Sequence, residues 1–397
     1  MALPSGKIEH TDLNTDFVAV DTQSSTGKYT RVLKNRADAS SELFSYPKAS
    51  WIEDPSIVDD SLITTGVAYN ALNGKAATSH DHSTEDISSF GDWVVTSDIS
   101  SDNNIVFKTL NIENWTAVSD AKLGGDFILG VCYGNGKFVA VSSNGRIAYS
   151  LDAINWTKVS DSKLGGSTIY SICYGNGKFV AVGSSGKMAY SYDGVNWTLV
   201  SDSKFGSTRI YGICYGNGKF VAGGGEGKIS YSTDAVNWTS VADSKFDSSY
   251  INDVCYGNGR FIAVGVGGKV ACSSNGVIWT LVSNSRFDTS EVNSICYGNG
   301  KFVAGGGDGK IAYSSDGINW TAVSDSKFGS TWVNGVCYGN GKFVAAGNEG
   351  KIVYSSDGIN WALVPDSRVN SVNLRDICYG DGKFVAVGND GKVTYCT

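Results

Sequence analysis

Residues 391–397 read "GKVTYCT", and there the chain stops. The same phrase at residues 309–328 runs on as "GKIAYSSDGINWTAVSDSKF", through a tryptophan and towards another copy. The last copy therefore lacks its final segment. A matching fragment stands far upstream, where "NWTAV" occupies residues 114–118 ahead of the first complete copy. Two partial copies that add up to one whole are what a closed ring requires and what an open stack of sheets has no use for. The expectation is that 114–118 hydrogen-bonds to 392–396, which closes the ring and removes two free sheet edges.

Working outward from that junction, a unit of 41 residues recurs along the chain, and such self-similarity decides the architecture. Seven cysteines in the context "CYG" mark it: Cys132, Cys173, Cys214, Cys255, Cys296, Cys337 and Cys378. Seven tryptophans keep the same spacing: Trp115, Trp156, Trp197, Trp238, Trp279, Trp320 and Trp361. One copy, residues 169–208, is "IYSICYGNGKFVAVGSSGKMAYSYDGVNWTLVSDSKFGST". Its short β-branched and aromatic runs are separated by Asn-Gly, Gly-Lys and Asp-Gly turns, and none has helical periodicity. Each unit thus reads as a four-stranded meander with strands of about 5–6 residues. The fold class expected is all-β: a seven-bladed β-propeller over residues 105–397, closed by pairing its first strand with its last. Before it lie residues 1–61 and a segment 62–104 with a short helix at 64–76 and a linker. "FVAV" and "KYTRVL" in the first region read as short strands.

The chain has 397 residues, 41% of them apolar and 12% aromatic, ample for a large packed core. Of its net charge of −7, residues 1–90 carry most, with 13 acidic against 7 basic side chains. No basic stripe argues for nucleic acid, and no apolar run is long enough to span a bilayer. The repeat cysteines read as small buried thiols, since equivalent positions in neighbouring units sit too far apart to bridge. No Cys/His zinc spacing occurs.

Two resemblances follow from quoted residues. "SLDAINW" (150–156), "SYDGVNW" (191–197), "STDAVNW" (232–238) and "SSDGINW" (314–320, 355–361) resemble the Asp-box, or BNR, repeat. The copies are one residue shorter than that pattern, and 274–279 reads "SNGVIW". The resemblance implies a turn between the third and fourth strands of a propeller blade, a structural role rather than an activity. "LITTGVAYNALNGKAATSHDHSTEDI" (62–87) resembles a segment of phage tail-fibre and tail-spike proteins. That likeness implies a homotrimer in a virion tail, attached through its N-terminus to a tail or baseplate protein and binding a bacterial surface glycan or protein. His80 and His82 alternate on one extended stretch and point the same way. They suit either a solvated or intersubunit hydrogen-bonding pair, or a transition-metal ion held across three subunits. No cofactor is expected in the propeller.

Catalysis has little to work with. The three histidines, His10, His80 and His82, all precede the ring, so no imidazole base serves it. Sialidases share the Asp-box propeller but need an arginine cluster, and here only Arg209 and Arg375 fall at variable sites. Glu226, Asp308, Glu349 and Asp390 each precede a Gly-Lys turn. Adjacent blades could bring Glu349 near Asp390 as a glycosidase pair, or all four could be solvated turn residues.

The stronger signal comes from comparing the seven units with one another. Variation gathers just before and inside the first strand, and again in the loop joining strands two and three. These loops share one face of a propeller, around the mouth of its channel. The candidate ligand-binding set is Phe127, Tyr170, Arg209, Tyr211, Tyr250, Asn252, Asp253, Glu291, Asn293, Trp332, Asn334, Asn373, Arg375 and Asp376, with the four acidic turn residues. Aromatics, amides and arginines are the groups that stack on sugar rings and bond hydroxyls or peptide groups. Neutral drift of exposed loops is the competing reading. Against it stands the neighbouring "SDSK" segment, expected to be exposed as well, which barely varies.

Overall fold

The computed structural model describes residues 112–397 in full, together with the backbone of four strands nearer the N-terminus. The chain divides into two compact units, Met1–Leu110 and Asn111–Thr397. In the first, the segments read as short strands fall on Phe17–Gln23 and Tyr29–Asn35, which pair antiparallel, and Trp93–Ile99 pairs with Ile105–Thr109. The expected helix at 64–76 and the pair His80 and His82 lie outside the described residues.

The second unit is seven four-stranded antiparallel sheets. Blade 1 begins at Ile128, and blades 2 to 7 begin at Ile169, Ile210, Ile251, Val292, Val333 and Leu374. First strands of successive blades pack against each other around the ring, and that of blade 7 packs against that of blade 1. The fourth strand of blade 7 is Trp115–Ala117, in register as Thr394↔Ala117, Tyr395↔Thr116 and Cys396↔Trp115. The Val118 N–H extends this ladder to the Val393 carbonyl at 2.8 Å. The complementary fragments read from the sequence meet where that reading puts them.

Strand lengths differ from the even meander expected. In blade 2 they run seven, six, four and two residues, so the outermost strand is the shortest. The Asp-Ser-Lys turn ends it: the Lys204 N–H donates to Asp202 at 2.9 Å and the Ser203 hydroxyl to the Gly186 carbonyl at 2.6 Å. A second strand in each blade carries a fully buried phenylalanine, such as Phe179, and a tryptophan closes the layer outside it. Core clusters straddle blades: Val139, Val141 and Ile147 of blade 1 pack with Ile169, Phe179 and Trp197 of blade 2. Across the closure, Val385, Val387 and Val393 pack with Ile128, Phe138 and Ala140 in the same manner.

The near-invariant turns have geometric causes. Asn176 and Gly177 sit at φ 46° and 73°, the paired left-handed positions of a tight hairpin. Gly175 is obligatory for another reason: a Cβ there would meet the Tyr215 ring of the next blade at 2.1 Å. In the Ser-x-Asp turn, Asp234 accepts from the N–H groups of Val236 and Asn237 and from the Asn237 amide, each at 2.8 Å. The Asn237 backbone N–H, foremost among these bonds, holds the Asp234 carboxyl well below the usual carboxylate range. The turn also presents its tryptophan, with the Trp238 indole N–H donating to the Ala235 carbonyl at 3.1 Å.

All nine cysteines are free. Cys255 and Cys337 are buried as expected, but Cys132, Cys173, Cys214, Cys296 and Cys378 are only half-buried on the innermost strands. Burial still pushes these thiols up, so they remain protonated.

Candidate functional site

Each first strand is longer than its partner by one residue. In blade 2 the register runs Ile169↔Gly183 and then Ser171↔Val182, which leaves Tyr170 as a bulge. The slip recurs at the same place in all seven blades. A bulge re-aims the extra side chain. Here it turns Leu129, Tyr170, Tyr211, Asn252, Asn293, Asn334 and Arg375 into one cavity of about 260 Å³ at the channel mouth. Ser171, Asp253, Ser294, Trp332 and Asp376 complete its lining.

The residue before each first strand is fixed by the neighbouring turn. The N–H groups of Gly225, Val266, Gly307, Asn348 and Asn389 donate to the carbonyls of Arg209, Tyr250, Glu291, Trp332 and Asn373, at 2.9–3.0 Å. These bonds put the two variable loops on the same face. Among the side chains on this face the aromatics are exposed, with Phe127, Tyr250 and Trp332 at 44%, 49% and 44%, whereas Glu291 and Asn373 are half-buried. Of this outer set only Trp332 reaches the cavity; Phe127, Arg209, Tyr250, Glu291 and Asn373 stand around it.

Three tyrosines from successive blades form a ledge. The Tyr170 and Tyr211 ring centroids are 5.0 Å apart, and those of Tyr211 and Tyr250 are 5.7 Å apart. Arg209 lies beside them, its pKa raised by a hydrogen bond to Tyr211. Three amides follow. Asn252 and Asn293 donate from Nδ2 to the Val292 and Val333 carbonyls of the next blade at 3.1 and 2.9 Å. Asn334 donates to both the Leu374 carbonyl at 2.7 Å and Asn348 Oδ1 at 2.9 Å. Arg375 is held through Nε to Asn389 Oδ1 at 2.9 Å, and burial lowers its pKa.

Asp253 and Asp376 line the cavity but spend both carboxyl oxygens on the backbone. Asp253 accepts from the Val254 N–H at 2.8 Å and from Ile295 of the next blade at 3.0 Å. Asp376 accepts from Ile377 at 2.8 Å and, across the closure, from Val131 at 2.9 Å. In blade 5 the Ser294 hydroxyl takes the equivalent Val336 N–H at 3.1 Å. Burial pushes Asp253 up to about 6 and Asp376 up to about 7.

A pH dependence follows. The folded chain holds these two protons where the unfolded chain, with ordinary carboxyls, has lost them. Their contribution to stability is complete below about pH 4 and is lost as pH rises through about 6 to 7. Thermal midpoints should therefore fall between about pH 5 and pH 8, and the Asp253→Ser/Asp376→Ser variant should fall less steeply. Equal slopes for the two proteins would contradict this assignment.

The acidic turn residues stand apart. Glu226, Asp308, Glu349 and Asp390 occupy left-handed turn positions, φ 55–61°, are exposed, and none lines the cavity. Lys228 pairs with Glu226 at 2.8 Å and lowers its pKa; Lys351 pairs with Glu349 at 3.4 Å; the Ser290 hydroxyl donates to Asp308 at 2.7 Å. The constancy of "SDSK" also has a mechanical reason: its Asp caps the turn and its Ser ties down the adjoining loop. It therefore cannot serve as a control for drift. Leu129, Ser171 and Ser294 fall outside the candidate set, although repeat comparison marks all three as variable.

These features define a seven-bladed propeller with a composite pocket at one mouth. No protein-family model and no curated protein matches the chain. Among solved structures it is similar to YCF48 bound to D1 peptide, with 19% identity and a TM-score of 0.59 over 72% of this chain and 96% of that one. A catalytically inactive virginiamycin B lyase from Staphylococcus aureus with quinupristin gives 12% identity and a TM-score of 0.58, over 72% and 99%. The WD40 propeller of Doa1 gives 13% and 0.55, over 72% and 97%. At such identities the likeness is one of fold.

Proposed function

We propose that the chain is a receptor-binding protein of the phage tail-fibre kind, holding a bacterial surface ligand non-covalently at the propeller mouth. One observation carries this reading: all seven bulges aim their side chains into a single cavity, and those side chains are of four kinds, one Leu, two Tyr, three Asn and one Arg. A scaffold needs its repeated positions alike, and the inward-facing Phe and Trp positions are alike. The diversity gathers in the cavity and in the loops on the same face, as a composite recognition site requires. Two of the solved propellers it resembles were determined with a peptide or a small molecule bound, which is consistent with such a use. The likeness of residues 62–87 to tail-fibre segments supports the attachment to a virion and a homotrimer, in which three mouths act together and gain avidity.

A glycan-cleaving enzyme is the less favoured alternative. A general acid needs a carboxyl poised near neutral pH and free to give up its proton to substrate. Glu226 is shifted the opposite way, and Asp253 and Asp376 are committed to backbone N–H groups. The test is to incubate the full chain with a panel of bacterial cells, measuring bound protein and released sugar together. Binding without release is expected. Released sugar would make the chain an enzyme, and neither signal would leave a structural tail component.

A further inference from the structure

The cavity has two unlike halves, and their chemistry specifies an occupant; this inference rests on the recognition reading above. Around the ring, the bulge residues of blades 1–3 are Leu129, Tyr170 and Tyr211, and those of blades 4–6 are Asn252, Asn293 and Asn334. The apolar and aromatic groups are contiguous, and so are the amides. On the first side, the Tyr170 and Tyr211 rings stand at 56° to each other, so that Tyr211 offers a face with Tyr170 beside it, and Tyr250, at 37° to Tyr211, continues the aromatic row towards the rim.

On the second side the amides are anchored. Both Asn334 amide hydrogens are taken, so its oxygen can only accept. Asn252 and Asn293 are each held through one Nδ2 hydrogen and retain the other hydrogen as a donor and the carbonyl oxygen as an acceptor. An occupant must then bring an apolar face to one wall and hydroxyl-like groups, able both to donate and to accept, to the other. A pyranose ring does this, with its C–H face for stacking and its hydroxyls at the edge. A planar peptide group can also stack, but it brings a single N–H donor to a wall of three amide oxygens, where a sugar brings several hydroxyls.

We propose that this cavity binds the terminal sugar residue of a bacterial surface glycan, stacked on Tyr211 and flanked by Tyr170, with hydroxyls bonded to Asn252, Asn293 and Asn334. The size agrees with an end rather than a whole chain. At about 260 Å³ it falls below the ~300–1,000 Å³ of pockets that engulf a drug-sized ligand. The remaining sugars leave over the rim, where Tyr250 and Trp332 are exposed.

The experiment uses the full chain on an array of purified lipopolysaccharide O-chains, capsular polysaccharides and teichoic acids, beside a peptide library at equal density. Intact protein should bind one or more glycans and no peptide. Tyr211→Ala should lose at least about tenfold in affinity on those glycans, whereas Tyr211→Phe, which keeps the ring, should retain it. Unchanged thermal midpoints keep misfolding out of the comparison. Peptide binding without glycan binding overturns the sugar assignment while leaving recognition at the mouth intact. Glycan binding indifferent to Tyr211→Ala overturns the placement. Binding to neither class overturns the inference, and the cell assay above then decides separately whether the recognition reading also falls.

Discussion

A chain shortened to end at Gly391 should lose its single cooperative unfolding transition and populate oligomers. The six residues removed include a strand whose Val393 and Thr394 are fully buried and whose Cys396 is 1% exposed. Val393 belongs to the core shared by blades 7 and 1, and the strand lies between Phe384–Val387 and Trp115–Ala117. Its loss opens that core and exposes two unpaired edges, templates for pairing with another copy. Burial of one such aliphatic side chain is worth roughly 1.5–3 kcal/mol. With the ladder bonds added, the loss is a large share of the ~5–15 kcal/mol that typically holds a domain together. The junction also lacks one tie that other blades have. Lys137, Lys178 and Lys219 reach the next blade's turn carbonyls at 2.9–3.0 Å, whereas Lys383 folds back onto Asp381. Size-exclusion chromatography and a thermal scan decide the matter. A monomer with an unchanged midpoint would show that the closing strand is dispensable.

Blade number, closure and the face carrying the variable loops were legible because each is written seven times or, for the closure, as two complementary fragments. The half-exposed thiols were not, since a "CYG" motif says nothing about how tightly neighbouring first strands approach. The bulge was not legible either. An extra residue in one strand appears only when its partner is set beside it, and the sequence around Tyr170 or Asn293 contains no turn residue to announce it. A trace of it was present, because the bulged position varies more than its neighbours. The acidic turn residues looked like mouth residues for want of direction: sharing a face with the cavity does not make Glu226 or Asp390 point into it. Asp253 and Asp376 entered the ligand-binding set because a sequence does not show which backbone N–H groups await them.

The largest functional effect should come from the exposed aromatics at the mouth. Trp332 and Tyr250 combine large contact area with few rotatable bonds, the type that dominates binding energy when truncated. Two such anchors at about 2 kcal/mol each correspond to a loss of several hundred-fold, which avidity in the proposed trimer would sharpen. Their rings are too exposed for truncation to open the core, so stability should move by no more than about 0.5 kcal/mol.

Tyr192, on a Ser-x-Asp turn, and Ile278, on the equivalent turn where Asn275 replaces the Asp, lie at the opposite face, are 63% and 73% exposed and provide a matched control. The decisive measurement compares Trp332→Ala/Tyr250→Ala with Tyr192→Ala/Ile278→Ala on bacterial cells that the intact protein decorates. Recognition at the mouth predicts that the first variant falls away while the second binds as the intact protein does. Equal binding by both variants, or loss only in the second, would contradict it.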